Sequence, residues 1–169
     1  LGQFIGRWAN FINKELYGLP TGSSVWGIPI DRAFRVAPYT STVDYPADTL
    51  FHPLFLYEGL WMLLTCFVLY RLWRTQREYL KPGTLFLLYV ASYSFIRYVL
   101  EFLRIELSLF RIYDGEGNVT QRINVTQLLC IAAFVWSMFH LLPRWGSIKW
   151  GWIFSGRPSE QVRPVRPAE

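Results

Sequence analysis

Formal charge is scarce in this chain. Charged residues make up 17% of its 169 residues, where a soluble domain carries roughly a quarter. Histidine and cysteine are scarcer still, at two of each. His52 and His140 lie far from Cys66 and Cys130, so these four alone cannot fill a tetrahedral zinc site. Two cysteines, each inside an apolar run, close at most one bridge, which excludes a disulfide scaffold. What is abundant is apolar and aromatic surface, 52% and 18% of the residues. That excludes intrinsic disorder, which needs low hydrophobicity and high charge. The length suits one domain. The net charge of +5 would admit nucleic acid, but the placement of the charges argues for another reading.

Three long apolar stretches stand out. From Ile123 to Pro143, 21 residues between Arg122 and Arg144 carry no formal charge, and a helix needs about 20 mostly apolar residues to cross the hydrocarbon. A second stretch runs from Thr84 to Leu103, and holds Arg97 and Glu101 near its end. A third runs from Pro53 to Trp73, with Glu58 near its start. The regions between them alternate in charge. The linker with Arg71, Arg74, Arg77 and Lys81 has one acid, Glu78, and the tail after Pro143 is also basic. The 19–52 and 105–123 regions are not. By the positive-inside rule the linker and tail are cytoplasmic and the other two regions lie outside. The basic excess then reads as topology and contact with anionic lipid, and no nucleic-acid partner is expected. The expected fold is all-α: a polytopic helical membrane protein of about three spans, preceded by an interfacial or partial helix. Residues 1–142 form its membrane domain and 143–169 a cytoplasmic basic tail. Pro158, Pro164 and Pro167 predict a disordered end from Ser155 onward. The chain begins Leu1-Gly2-Gln3, without Met, and is expected to be the C-terminal portion of a longer protein.

Three polar constellations do not suit an apolar protein. In the first segment Arg7, Asn10 and Lys14 share one helical face, and Gly18-Leu19-Pro20 is expected to end the helix. That face is either the solvated side of a helix on the membrane surface or a set of donors shaped for phosphate. In the second, Arg97, Glu101 and Arg104 recur on one face. A charge as deep as Arg97 costs roughly 2.5–3.5 kcal/mol even on the lenient insertion scale, and faces a bundle interior or a wet cavity. It is a structural ion pair with Glu101 or part of a site, and both can hold, since an acid can pin an arginine's orientation. In the third, His52 and Pro53 precede Tyr57 and Glu58. Glu58 either pairs with an arginine or lies near the interface. Asn124 reads first as the N-cap of the last span, which also carries Gln127. All these groups fall on the outer side. Arginines and amides in the outer leaflet suggest an anionic lipid headgroup as ligand.

The segment Gly6-Arg7-Trp8-Ala9-Asn10-Phe11-Ile12-Asn13-Lys14-Glu15-Leu16-Tyr17-Gly18 closely resembles the signature of prolipoprotein diacylglyceryl transferases. His52-Pro53 with Leu56-Tyr57-Glu58 resembles that family's His-Pro and Leu-Tyr-Glu segment. Arg97, Glu101-Phe102 and Arg104 resemble its Arg and Glu-Phe-x-Arg segment, and Gln127 matches a Gln opening the last span. Ala9, Leu54, Phe55 and Thr126 depart from the usual residues. Family members also carry upstream spans with a His-Gly segment that nothing here matches, so this portion is expected to be inactive alone.

The resemblance implies a transferase of lipoprotein biosynthesis in the bacterial inner membrane, its site toward the extracytoplasmic face. It moves the diacylglyceryl group of phosphatidylglycerol to the lipobox cysteine of a prolipoprotein signal peptide, without a metal or organic cofactor. It implies that Arg97, Asn10 and Glu15 are catalytic. Arg7, Asn13, Gly18, His52, Tyr57, Glu58, Glu101, Arg104 and Gln127 would bind substrate, with Gly18 permitting a turn. The alternative is a non-catalytic membrane protein that binds anionic phospholipid or a partner helix.

Overall fold

In a computed structural model, residues 1–41, 43–105, 109–113 and 119–155 are described. The chain is mostly helical. Helix α1 (Gly2–Ile12) packs on α2 (Leu54–Gln76), which packs on α3 (Thr84–Glu101), which packs on α4 (Val125–Leu141). A 3-10 turn, Leu142–Ser147, and a short α5 (Trp152–Ser155) follow. The stretches Leu54–Gln76 and Val125–Ser147, with mean hydropathies of 1.4 and 1.8, are long and apolar enough to cross a membrane. Helix α3 is not in that class, because Arg97 and Glu101 lower its hydropathy.

The helical chain also carries two short antiparallel ribbons in the segments that join its helices. Strands β1 (Ile28–Pro29) and β2 (Leu50–Phe51) pair antiparallel, Ile28 opposite Phe51. Strands β3 (Leu109–Tyr113) and β4 (Val119–Asn124) form a second antiparallel ribbon that leads straight into α4. The loop around β1 and β2 is organised by two buried groups. Arg35 donates from Nε to the Ile30 carbonyl at 2.8 Å, and its other nitrogens to the carbonyls of Tyr45, Pro46 and Ala47. The Tyr17 hydroxyl donates to the Phe34 carbonyl at 2.9 Å and accepts from the Val36 amide at 2.8 Å. Beneath them Tyr17, Ile30 and Phe51 form a small core.

The helices bury polar side chains among apolar ones and leave large apolar side chains facing out. On α1 the half-buried residues are Phe4, Arg7 and Asn10, while Ile5 and Ile12 are 62% and 75% exposed. On α2 Glu58 and Thr65 are buried, and Leu60, Leu64 and Phe67 face out. On α4 Ser137 is buried, and Leu129, Val135 and Phe139 face out. Water would drive the opposite distribution. A hydrocarbon surround favours this one, because lipid offers no penalty to Leu or Phe and no partner to a hydroxyl. Between α2 and α3 the Trp61 indole donates to Ser92 Oγ at 2.9 Å, and Thr65 Oγ1 lies 2.6 Å from the same oxygen. Such hydrogen bonds hold helices together where the hydrophobic drive between them is absent.

Two expectations about the chain's course change. Helix α1 stops at Ile12, with Asn13 as its C-cap, and not at Gly18. Lys14 and Leu16 adopt left-handed φ values of 55° and 54°, so Lys14 leaves the α1 face and pairs with Asp31. Gly18 sits where three stretches of backbone meet. Its amide donates to the His52 carbonyl at 2.9 Å, and the Leu19 amide donates to the Leu103 carbonyl at 2.8 Å. A Cβ on Gly18 would lie 2.8 Å from the Leu103 oxygen and 2.9 Å from His52 Cβ. Close approach, not a turn, is what requires glycine there.

The beginning of the tail folds back on the far end of α2. Gln76 is fully buried: its Nε2 donates to the Lys149 carbonyl at 2.8 Å, and its Oε1 accepts from the Lys149 amide at 2.7 Å. Arg71 Nε donates to the Ile153 carbonyl at 2.8 Å, and Leu72, Ile148 and Ile153 close a core beneath. The disorder expected from Ser155 onward concerns 156–169, outside the described residues.

Two outcomes follow. Gly18→Ala forces a backbone shift and is expected to cost about 1–3 kcal/mol, read as a lower Tm in detergent; an unchanged Tm contradicts the close-packing account. Gln76→Leu removes the partner of the Lys149 amide and leaves its carbonyl to the Trp152 amide alone, at a cost of about 1–3 kcal/mol. Limited proteolysis is expected to cut at 143–155 faster in this variant than in the parent chain, and equal rates would refute the latch.

Candidate functional site

Three helix ends and one helix face converge. Glu58 lies one turn into α2, Arg97 and Glu101 in the last turns of α3, and Asn124 caps α4. Because α2, α3 and α4 run antiparallel in sequence, these positions meet at one end of the bundle. Helix α1 lies across that end and turns Arg7 and Asn10 toward it.

Glu58 is the hub. Its Oε1 accepts from Arg7, and its Oε2 lies 3.7 Å from Arg97. The carboxylate is 4% exposed, so two guanidiniums are brought together over one buried charge. Arg97 also reaches Glu101 Oε2 at 3.5 Å, and Arg104 approaches the same oxygen at 4.0 Å. The Glu101 side chain is fully buried, and its Oε1 accepts from Asn124 Nδ2 at 3.1 Å. Among the described residues three guanidiniums thus face two carboxylates, leaving one positive charge in excess. Each guanidinium has five donors in a planar fork. Among the described residues Arg97 makes long contacts to two acids, and Arg104 Nε is buried without a hydrogen-bond partner. Donors are therefore in surplus, in a place screened from water by Leu54, Phe55 and Leu100. The chemistry of such an array suits an anion with bidentate oxygens, phosphate or carboxylate.

A narrow crevice is lined by Arg7, Asn10, Glu58, Arg97 and Arg104. The alternative of a solvated α1 face is overturned: Arg7 faces Glu58, and Trp8, edge-on, and Phe11, tilted, pack against Phe55 beside it, with ring centroids 5.4 and 4.8 Å away. On one side of Arg104 a cavity of about 340 Å³ is lined by Asn13, Glu15 and Tyr17. On another, a cavity of about 520 Å³ is lined by Glu101, Asn124, Gln127 and Tyr39. Arg104 borders all three spaces.

Other expected site residues lie apart. Glu15 accepts from Asn13 Nδ2 at 3.2 Å, and among the described residues it makes no ion pair with an arginine. His52 and Tyr57 bond to one another. The Trp26 indole can only donate, and it reaches the Tyr57 hydroxyl at 2.7 Å. The same hydroxyl lies 3.0 Å from His52 Nδ1, so one oxygen ties both rings together. Gly18 is a packing position. Asn124 was legible only as a cap, which it is: its Oδ1 accepts from the Gln127 amide at 3.2 Å. Its bond to Glu101 has no local sequence signal, since the two residues are 23 apart. Trp26 and Arg35 likewise have partners that only the folded loop supplies.

The family model for prolipoprotein diacylglyceryl transferase matches residues 1–142. A phosphatidylglycerol–prolipoprotein diacylglyceryl transferase of Chloroflexus aggregans is 43% identical over 142 residues, covering 80% of this chain and 46% of that protein. One from Thermosynechococcus vestitus is 37% identical over 151 residues, covering 86% and 51%. A protein of Streptomyces coelicolor named as a second such transferase is 45% identical over 106 residues, covering 63% and 31%. The chain spans about half the length, or less, of these curated relatives. No solved structure matches it. The matched residues take in every part of the arginine–glutamate array, and the chain belongs to the prolipoprotein diacylglyceryl transferase family.

Proposed function

We propose that the whole protein containing this chain transfers the diacylglyceryl group of phosphatidylglycerol to the lipobox cysteine thiol of prolipoproteins. The names of the relatives support the substrates. The observation that carries the chemistry is the pair of forks, Arg7 and Arg97, held over the two oxygens of Glu58 with one positive charge in excess. In the reaction a base removes the thiol proton and the sulfur attacks the glycerol carbon that bears the phosphate. The carbon–oxygen bond breaks, its electron pair goes to the phosphate oxygen, and glycerol phosphate leaves as the thioether forms. The charge that develops on the departing oxygen calls for donors already aimed at it. Arg7 grips the headgroup phosphate, and Arg97, with the longer contacts, turns its free donors to the leaving oxygen. Glu58 holds both forks in register, and Glu101 orients Arg97 and Arg104. Asn10 donates within the crevice. Asn13, Glu15 and Gln127 line the flanking cavities, where the glycerol head or the peptide lies. His52 and Tyr57 brace the loop over the start of α2 and act indirectly. The base is not assigned to this chain.

The outward-facing apolar side chains, the buried polar groups and the basic linker support a multi-pass placement in the bacterial inner membrane, with α3 as a third span. The site end then faces outward, and the linker and tail face the cytoplasm.

The test is thioether formation on a lipobox peptide by the full-length protein in phosphatidylglycerol bilayers. Arg97→Ala and Arg7→Ala are each expected to lower it by about 10²–10³-fold. Arg97→Lys keeps the charge but loses the fork and is expected to recover only part of the rate. Undiminished transfer by either alanine variant overturns the assignment. Phosphatidylglycerol binding by the unaltered protein without thioether would establish a non-catalytic lipid-binding protein instead.

A further inference from the structure

The far end of the bundle carries a surface that the proposed reaction does not use. After the apolar stretch Val125–Ser147 the chain does not run free: Gln76 clamps the backbone at Lys149, and Arg71 clamps it at Ile153. This fixed hook presents large aromatic groups outward. Phe154 is 84% exposed, Trp145 47% and Trp150 37%, and the two indoles lie 5.3 Å apart. Trp73 of α2 is exposed at the same end, with Arg77 stacked over its ring at 5.8 Å. Arg74, Arg77 and Lys149 are exposed among them. Burying Gln76 to hold a segment whose aromatic side chains face out makes no sense for a solvated tail. It suits a segment whose outer side lies in a headgroup layer, where an indole has one apolar and one wet end.

We propose that residues 145–154 form an interfacial anchor that binds anionic lipid of the cytoplasmic leaflet: Trp145, Trp150 and Phe154 enter the headgroup boundary, while Arg74, Arg77 and Lys149 pair with lipid phosphates and carboxylates. The anchor rests on the membrane placement given above, but not on the transferase chemistry. Charge complementarity selects the occupant. Acids are few here, and cationic side chains near an anionic leaflet each contribute about 1 kcal/mol. Aromatic groups rimmed by cations bind such a surface by insertion and attraction together.

The experiment uses the full-length protein in vesicles of phosphatidylcholine with added phosphatidylserine, bromine being carried on one lipid or the other. Phosphatidylserine is chosen so that headgroup charge is read apart from the phosphatidylglycerol substrate. Tryptophan fluorescence is expected to be quenched more strongly by brominated phosphatidylserine, and Trp145→Phe with Trp150→Phe should remove most of that difference. Arg74→Gln with Lys149→Gln should lower phosphatidylserine enrichment around the anchor by roughly fivefold per charge, with helicity by circular dichroism unchanged. Equal quenching by the two lipids in the unaltered protein overturns the proposal. So does quenching of Trp145 and Trp150 by iodide from water without quenching by bromine, which would mark a face for a soluble partner. Loss of transfer activity alone touches only the transferase reading; absence of bromine quenching at every tryptophan sinks the membrane placement and the anchor together.

Discussion

A carboxylate buried among helices in an apolar surround cannot stand alone, and neither can an arginine. Glu58 and its two guanidinium partners are the solution to that constraint at the head of this bundle. Without Glu58, Arg7 would have no reason to turn inward from α1, and Arg97 would face Arg104 and Arg7 across a nearly dry crevice. Breaking a buried pair by deleting one partner costs roughly 3–5 kcal/mol, because the remaining charge is stranded. The same physics explains why α1 carries its polar residues on the inner face. The helix is held at its middle by the Arg7–Glu58 pair and beside it by Phe4, which packs on Gly59, where a Cβ would lie 3.3 Å from the Phe4 ring. The outward Ile5 and Ile12 are then left to the surroundings.

Among the described residues the array is neutralised in part only. Had a third carboxylate joined it, the cluster would be a structural lock with nothing left to offer a ligand. With two, every arginine shares its acid with another. Sharing stretches the contacts of Arg97 to 3.5 and 3.7 Å, beyond the range of a good charged hydrogen bond. An incoming phosphodiester can take those donors without first breaking a strong pair. Lysines would not serve as well, since a point charge lacks the planar fork that one carboxylate can align from two sides.

Much of this was legible in the sequence, for physical reasons that differ by residue. Arg97, Glu101 and Arg104 were legible because helical spacing puts them on one face and because charge in an apolar run is costly. Arg7 and Asn10 were legible as a polar stripe, but their inward direction was not: a stripe at helical spacing looks the same whether water or a buried acid lies beyond it. The end of α1 was misplaced because Gly18-Leu19-Pro20 mimics a helix stop, whereas Lys14 and Leu16 break the helix earlier in left-handed conformations that their side chains do not advertise. The roles of Arg35, Trp26 and Gln76 were invisible. Each finds its partner across a loop or at the far side of the chain, and Gln76 meets Lys149 from 73 residues away.

Asn124 shows how the fold and the site are tied. It ends β4, caps α4 through its Oδ1, and donates through its Nδ2 to Glu101. Aspartate caps a helix as well as asparagine does, but here it would set a second carboxylate against the fully buried Glu101 and cancel the positive excess. Serine would cap and leave Glu101 Oε1 short of a donor. Only an amide satisfies the orphan amide at the start of the helix and the buried acid at the end of its neighbour. The register of α4 against α3 is thereby fixed by the same atoms that hold Glu101 under Arg97 and Arg104, so an error in helix packing at this end is an error in the aim of the guanidiniums.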